Sequence, residues 1–190
     1  MIPAWNMAGV IPPIRPGQPG HSTDRSPYAA PLATVAERFA QSSQRLKILN
    51  GLLEYRSELH RLGLTSGFQW LDGRFLEDIE AREARPPKDI DVVTYFHLPE
   101  GESQASLHAK AGRLFDHEFV ARTYYVDAYQ GILGEPFNLP VVRRLAYWYS
   151  MWSHRRDGLW KGFVEVDLSH SGDAAALAIL TSRSVGVASP

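Results

Sequence analysis

The chain has 190 residues, 44% hydrophobic and 22% charged, with a formal net charge of −1 and no cysteine. That length buries the core of one domain, and the near-neutral charge argues against a protein that coats nucleic acid. Without cysteine there are no disulfides and no thiolate metal sites. No apolar run approaches the roughly 18–20 residues of a membrane span, and no charged leader precedes an apolar stretch, so no membrane partner and a cytoplasmic location are expected.

Residues 1–31 are rich in Pro and Gly, as in Ile11-Pro12-Pro13-Ile14-Arg15-Pro16-Gly17. Such a stretch forms neither a helix nor a central strand and reads as an extended arm, mobile in its middle, with Trp5, Val10 and Ile11 able to dock on the domain. The domain itself is expected over 32–183, and 184–190 as a frayed tail.

Thr34 and Glu37 have capping-box spacing and predict a short helix over 34–40. Ser42 or Ser43 caps a longer helix over 44–62, which Gly63 ends; Leu46, Leu49, Leu53, Leu59 and Leu62 form its core stripe. A strand is expected at 67–73, a solvated helix or loop over 75–85 and a second strand at 89–97. A helix over 103–117 follows, and then Phe119 to Tyr129 is a third β-rich run, broken after it by Gly131, Gly134 and Pro136. Pro140 suits the first turn of a helix over 140–153, whose buried side is Val142, Leu145, Ala146, Tyr149 and Trp152. A fourth strand at 162–168 and a short helix at 173–181 complete an α/β (α+β) layout around one mixed sheet flanked by helices.

Asp89 and Asp91 share one face of their strand, because side chains alternate. Two adjacent carboxylates repel unless a cation stands between them, and a divalent metal serves, binding carboxylate and phosphate oxygens together. In isolation the pair reads more simply as a solvated strand end. Glu165 and Asp167 repeat the pattern near the C-terminus. Arg143, Arg144, His154, Arg155, Arg156 and Lys161 form a local basic cluster, suited to phosphate or to an RNA or DNA backbone, though cations near a helix C-terminus are favourable in themselves. Tyr147, Trp148, Tyr149, Trp152 and Trp160 read first as core packing and second as a stacking platform for a base. The histidines lack zinc-hydrolase spacing, and no nucleophile elbow, P-loop or dinucleotide fingerprint is present.

Leu71-Asp72-Gly73, a spacer and Asp89-Ile90-Asp91-Val92 together resemble the signature of the nucleotidyltransferase superfamily of the DNA polymerase β type. Its elements are a strand, a Gly-Ser turn, an Asp-hydrophobic-Asp strand and a third carboxylate after a helix. The chain is also similar to an uncharacterised bacterial family of such proteins, through Ile11-Pro12-Pro13 and Lys161-Gly162-Phe163. The likeness extends over about residues 9–168, but only the two-part motif at 71–93 is specific.

The resemblance implies a nucleotidyltransferase-like fold. It also implies Mg²⁺ (or Mn²⁺) held by Asp89, Asp91 and Asp127, with Glu165 and Asp167 rivals for the third position. In such enzymes one or two ions, roughly 3.5–4 Å apart, activate a hydroxyl and gather the triphosphate. Gly73, Arg74, Arg144 and Lys161 would then bind the NTP phosphates, and the acceptor would be a protein, RNA or small-molecule hydroxyl. At family level the context is toxin–antitoxin or phage defence.

Two features depart from the pattern: Gly73 is followed by Arg74 instead of serine, and the 15 residues between Gly73 and Asp89 make a slightly long spacer. Arg74 would bind phosphate as a cation, block the pocket, or pair with Asp89. The last case suits a catalytically inactive nucleotidyltransferase-like binding module, such as an antitoxin. A third reading is an ordinary α/β interaction domain, which expects Asp127 far from the other two acids.

Overall fold

The computed structural model describes residues 1–187; residues 188–190, part of the expected tail, lie outside the described residues. Five strands form one sheet in the order β1-β5-β2-β3-β4. They are β1 Tyr28–Ala29, β2 Gly67–Asp72, β3 Ile90–Phe96, β4 Val126–Ile132 and β5 Val164–Asp167. β2 is antiparallel to β3 and β5, whereas β3 runs parallel to β4, and β1 to β5. The sheet is therefore mixed, in the expected α+β layout.

One face of the sheet is covered by helices. α1 (Leu32–Phe39), α2 (Ser43–Arg61), α5 (His117–Tyr124) and α7 (Asp173–Val187) pack there or on one another. Buried Arg56 on α2 donates to Gln69 Oε1 at 2.6 Å and forms an ion pair with Asp173 on α7 at 2.7 Å, so the charge that α2 carries inward is matched. The opposite face receives α6 (Leu139–Trp152), whose Trp148 and Trp152 pack edge-on at 5.6 Å and bury against the aromatic strands. The aromatic cluster is thus mainly core, with Tyr147 and Trp160 left exposed.

Several boundaries differ from those the sequence suggests. α1 starts at Leu32, ahead of Thr34, and has no side-chain cap. Ser42 does cap α2, accepting from Arg45 N. The 75–85 stretch holds one short helix, α3 (Ile79–Glu83), and the long helix expected over 103–117 breaks at Gly112 after α4 (Gln104–Ala111).

The larger correction concerns Phe119–Tyr129. Phe119–Tyr124 is helical, closing α5, and the strand is displaced toward the C-terminus. Asp116 accepts from Phe119 N and starts the helix, and Tyr125 turns the chain at φ 60°. A side-chain cap and packing against α2 outweigh β-propensity there. Gly131 is not a break but a strand residue paired with Tyr95, and glycine suits it because a Cβ there would meet the Tyr95 ring at 2.6 Å. α7 is longer than the helix expected at 173–181.

The Pro-rich N-terminal segment packs on the rest of the chain. Ile2, Val10 and Ile11 are buried; the Trp5 indole donates to Leu76 O at 2.7 Å, and Gly162 N donates to Ile11 O at 2.6 Å.

Candidate active site

The end of β2 and the starts of β3 and β4 meet in one rung. Asp72 closes β2 and pairs with Asp91 on β3, which in turn pairs with Asp127 on β4. Cross-strand partners point to the same face, so three carboxylates stand side by side on the sheet. The chain leaves β2 through Gly73 at φ 85°, a conformation that favours glycine. A Cβ there would lie 2.9 Å from Asp91 Cγ, so the missing side chain is what lets the Asp91 carboxylate sit over the turn.

The rung is not equally neutralised. Buried Lys161 places Nζ 2.6 and 2.7 Å from the two oxygens of buried Asp72, and 3.8 Å from Glu77 Oε1. Burial nonetheless pushes the Asp72 carboxyl up to about 6, with Lys161 pulling against it. Asp91 has no ion-pair partner within 4 Å among the described residues. Its burial, reinforced by Asp72, Asp127 and Asp89, pushes it up to about 7. Asp127 Oδ1 is buried without a hydrogen-bond partner: His117 Nδ1 lies 2.8 Å away but outside hydrogen-bonding geometry. Asp89 stands just ahead of β3, outside the rung, and burial followed by the Asp127 charge raises its carboxyl.

The rung opens into a cleft of about 620 Å³. Its other wall is the hairpin 153–161, which brings His154, Arg155, Arg156 and Lys161 to face the acids. Most of the acids line one side and most of the bases the other, with Arg74 on the side of the rung and Asp157 on the hairpin. A ligand suited to such a space carries both charges at once, as a metal–polyphosphate does.

Of the residues the sequence singles out, Gly73, Arg74, Asp91, Asp127 and Lys161 line this cleft. Asp89 borders it electrostatically through Asp91 and Asp127. Arg74 turns to Glu83 and lies 3.4 Å from Glu77, so it neither fills the turn nor pairs with Asp89. Arg144 is elsewhere. It lies 3.4 Å from Glu135 and lines a separate cleft with Phe96, Leu98 and Ile132. Glu165 accepts from the Trp70 indole at 2.9 Å, and Asp167 accepts from Ser169 N at 2.6 Å; Asp167 sits opposite Phe68, four residues back along β2 from Asp72. Asp127 is therefore the carboxylate beside Asp91, contrary to what the plain interaction-domain reading expects.

Sequence reasoning gave no role to Asp72, Glu77, Tyr129, Met151 or Asp157 of the cleft, and named Arg155 only within the basic cluster. Asp72 stood in view next to Gly73, but its place in the rung depends on the β2–β3 register, which no local pattern carries.

Among the described residues no three His, Cys, Asp or Glu side chains are grouped as a ready-made metal site. Mg²⁺ does not require one, since it commonly takes one or two carboxylates and completes its shell with water and substrate phosphate. Asp91, without an ion-pair partner, and Asp127, whose Oδ1 is buried without a hydrogen bond and has only His117 beside it, fit that role.

Fold and site thus define a mixed α+β domain with an acidic rung facing a basic hairpin across a cleft. The chain belongs to a family of unknown function (DUF6932), whose match spans residues 3–167 and so includes every residue that lines the cleft. No curated protein and no solved structure matches the chain. Among the described residues no helix is long and apolar enough to cross a membrane.

Proposed function

We propose that the protein is a Mg²⁺-dependent nucleotidyltransferase that moves NMP from an NTP to a hydroxyl of a protein, RNA or small molecule. The observation that carries this reading is the pairing of Asp91 with Asp127 beside the Gly73 turn, opposite a basic hairpin. Asp91 and Asp127 would hold the metal, with Asp89 at its border. Bound there, the ion would polarise the α-phosphate and stabilise the leaving pyrophosphate. The acceptor oxygen attacks the α-phosphorus, the bond to the β-phosphate oxygen breaks, and the hydroxyl proton leaves to a carboxylate of the rung. The hairpin arginines would neutralise the phosphates, Lys161 being buried on Asp72. A role in a toxin–antitoxin or phage-defence system rests on the resemblance alone.

A second reading, an inactive nucleotide-binding or partner-binding module, draws on Lys161. Its pairing with Asp72 leaves two open carboxylates in the rung where three stand. Arg74, turned toward Glu83, does not add to that case.

Thermal unfolding with Mg²⁺ and each NTP tests the proposal, on wild type and on Asp91→Asn and Asp127→Asn. A ligand at a hundredfold excess over Kd adds about 2.7 kcal/mol of apparent stability. A Mg²⁺-dependent rise that both variants lose is expected, followed by transfer of α-labelled NMP to an acceptor. Binding without transfer to any acceptor would favour an inactive nucleotide-binding module, and no rise with any nucleotide would overturn the transferase and leave the partner-binding module.

A further inference from the structure

α6 is apolar on both of its sides. Inward it packs through Trp148 and Trp152: the Trp148 ring lies 4.6 Å from that of Tyr129, and the neighbouring Tyr149 hydroxyl donates to Ser26 O at 3.0 Å. Outward, Leu139, Val142, Ala146 and Ser150 follow one another at helical spacing and are exposed, with Tyr147 and Met151 along the flank. Phe137, just ahead of the helix, is 83% exposed. A helix with apolar residues on opposite sides is one that is covered on both.

The size of this face is that of an interface. Phe137, Leu139, Val142, Tyr147 and Met151 are five of the large apolar side chains left exposed among the described residues, and all lie in this one segment. Together they expose on the order of 500 Å², where a monomer's surface apolar residues are normally scattered singly. With Pro140, Arg143, Ala146 and Ser150 beside them, the face approaches the roughly 800 Å² that each partner brings to a standard interface.

Its pattern is complementary to itself. When two copies of α6 run antiparallel about a two-fold axis between Arg144 and Leu145, Val142 stands opposite the partner's Tyr147 and Leu139 opposite the partner's Ser150. Arg143 falls opposite the partner's Ala146, whose small side chain lets the helices approach and leaves room for the arginine stem. Phe137 comes level with the partner's Met151, a favourable sulfur–aromatic pair. The charges agree as well. Glu135, ahead of one helix, meets the basic run His154-Arg155-Arg156 that follows the other. A parallel pairing would set the two basic runs side by side, like charge against like.

We propose that α6 is the interface of a symmetric homodimer, covered by the antiparallel α6 of a second copy of this chain. Met151 belongs both to this face and to the lining of the acidic cleft, so the second copy adds its Phe137 ring to the rim of each cleft. The pairing is independent of what the cleft binds.

Analytical ultracentrifugation at about 100 μM, above the micromolar range in which interfaces of this area associate, is expected to give twice the mass of one chain. Ala146→Glu places a charge at the centre of the contact twice over, and Leu139→Glu does so nearer its edge. Each should raise the dissociation constant by about a hundredfold or more, with the far-UV circular dichroism of wild type retained. The chain has no cysteine of its own, so cross-linking reads the direction of the helices. Under oxidation, Val142→Cys mixed with Tyr147→Cys should form a covalent dimer faster than either variant with itself. A wild type that is monomeric at that concentration would overturn the proposal and leave the face to a different partner. A dimer that Ala146→Glu and Leu139→Glu both leave intact would overturn it too, as would faster cross-linking of Val142→Cys with itself.

Discussion

At the scale of single residues, Lys161 governs the cleft. It is the cation that touches Asp72, and both are buried. Removing one partner of a buried pair strands the other charge, at a cost of about 3–5 kcal/mol. Lys161→Met should therefore destabilise by that order in urea unfolding, and Asp72→Leu in the same chain should recover most of the loss. If Lys161→Met alone unfolds like wild type, the pair is not buried as described. Gly73→Ala forces a side chain onto φ 85° and into the Asp91 carboxylate. It should cost about 1–3 kcal/mol in the same assay.

The carboxyls of this rung also set a pH dependence of unusual sign. Asp72 and Asp91 are raised from an ordinary value of 3.8 to about 6 and about 7. Both bind protons more readily folded than unfolded, so the stability they contribute is complete below the ordinary value. It is lost as pH rises through about 6 and then about 7. Asp91→Asn should gain on wild type as pH climbs across that window, and urea midpoints at several pH values check it. A difference that stays flat with pH would show that Asp91 is not under this pressure. Mg²⁺ favours the ionised form and should reduce the decline in wild type if the site binds it.

At the scale of elements, α5 and β4 together place Asp127. The turn between them sits at Tyr125, and α5 is started by Asp116, whose carboxylate accepts from Phe119 N at 3.0 Å. Asp116→Ala should lower stability by about 1 kcal/mol, read as a shift in the thermal midpoint. The same pair of elements shows where local patterning loses. Phe119 to Tyr129 is rich in β-branched and aromatic residues throughout, yet half of it is helical. The alternation in 89–93, by contrast, is legible directly, because a strand buried on both faces leaves only Asp91 partly open. The start of α6 was also legible, through Pro140 in its first turn; its buried side was not, being Trp148 and Trp152 with Val142 and Ala146 exposed.

At the scale of the whole molecule, the N-terminal segment braces both halves of the cleft. Trp5 holds Leu76 O and Gly9 O accepts from Asp78 N, just after the Gly73 turn; Ile11 O accepts from Gly162 N, next to Lys161. Val10 and Ile11 are buried completely or nearly so. Each buried side chain of that size is worth about 1.5–3 kcal/mol, against a total of about 5–15 kcal/mol for a domain. A chain lacking residues 1–12 should unfold at a clearly lower midpoint or without cooperativity. Unchanged, cooperative unfolding would show that the segment is dispensable to the fold.

The sequence by itself determined the α+β class, the strand that bears Asp91, the turn at Gly73 and the joint presence of acidic and basic side chains. These follow from periods of two and 3.6, from caps and from the conformational needs of glycine, all of which act within a few residues. Only the tertiary structure decided that Asp72 joins Asp91 and Asp127 in one rung, that Asp89 stands outside it, and that Arg144 faces another cleft while Arg155 faces this one. Those placements depend on strand register and on where α6 lies across the sheet, and both are set by burying side chains far apart in the chain.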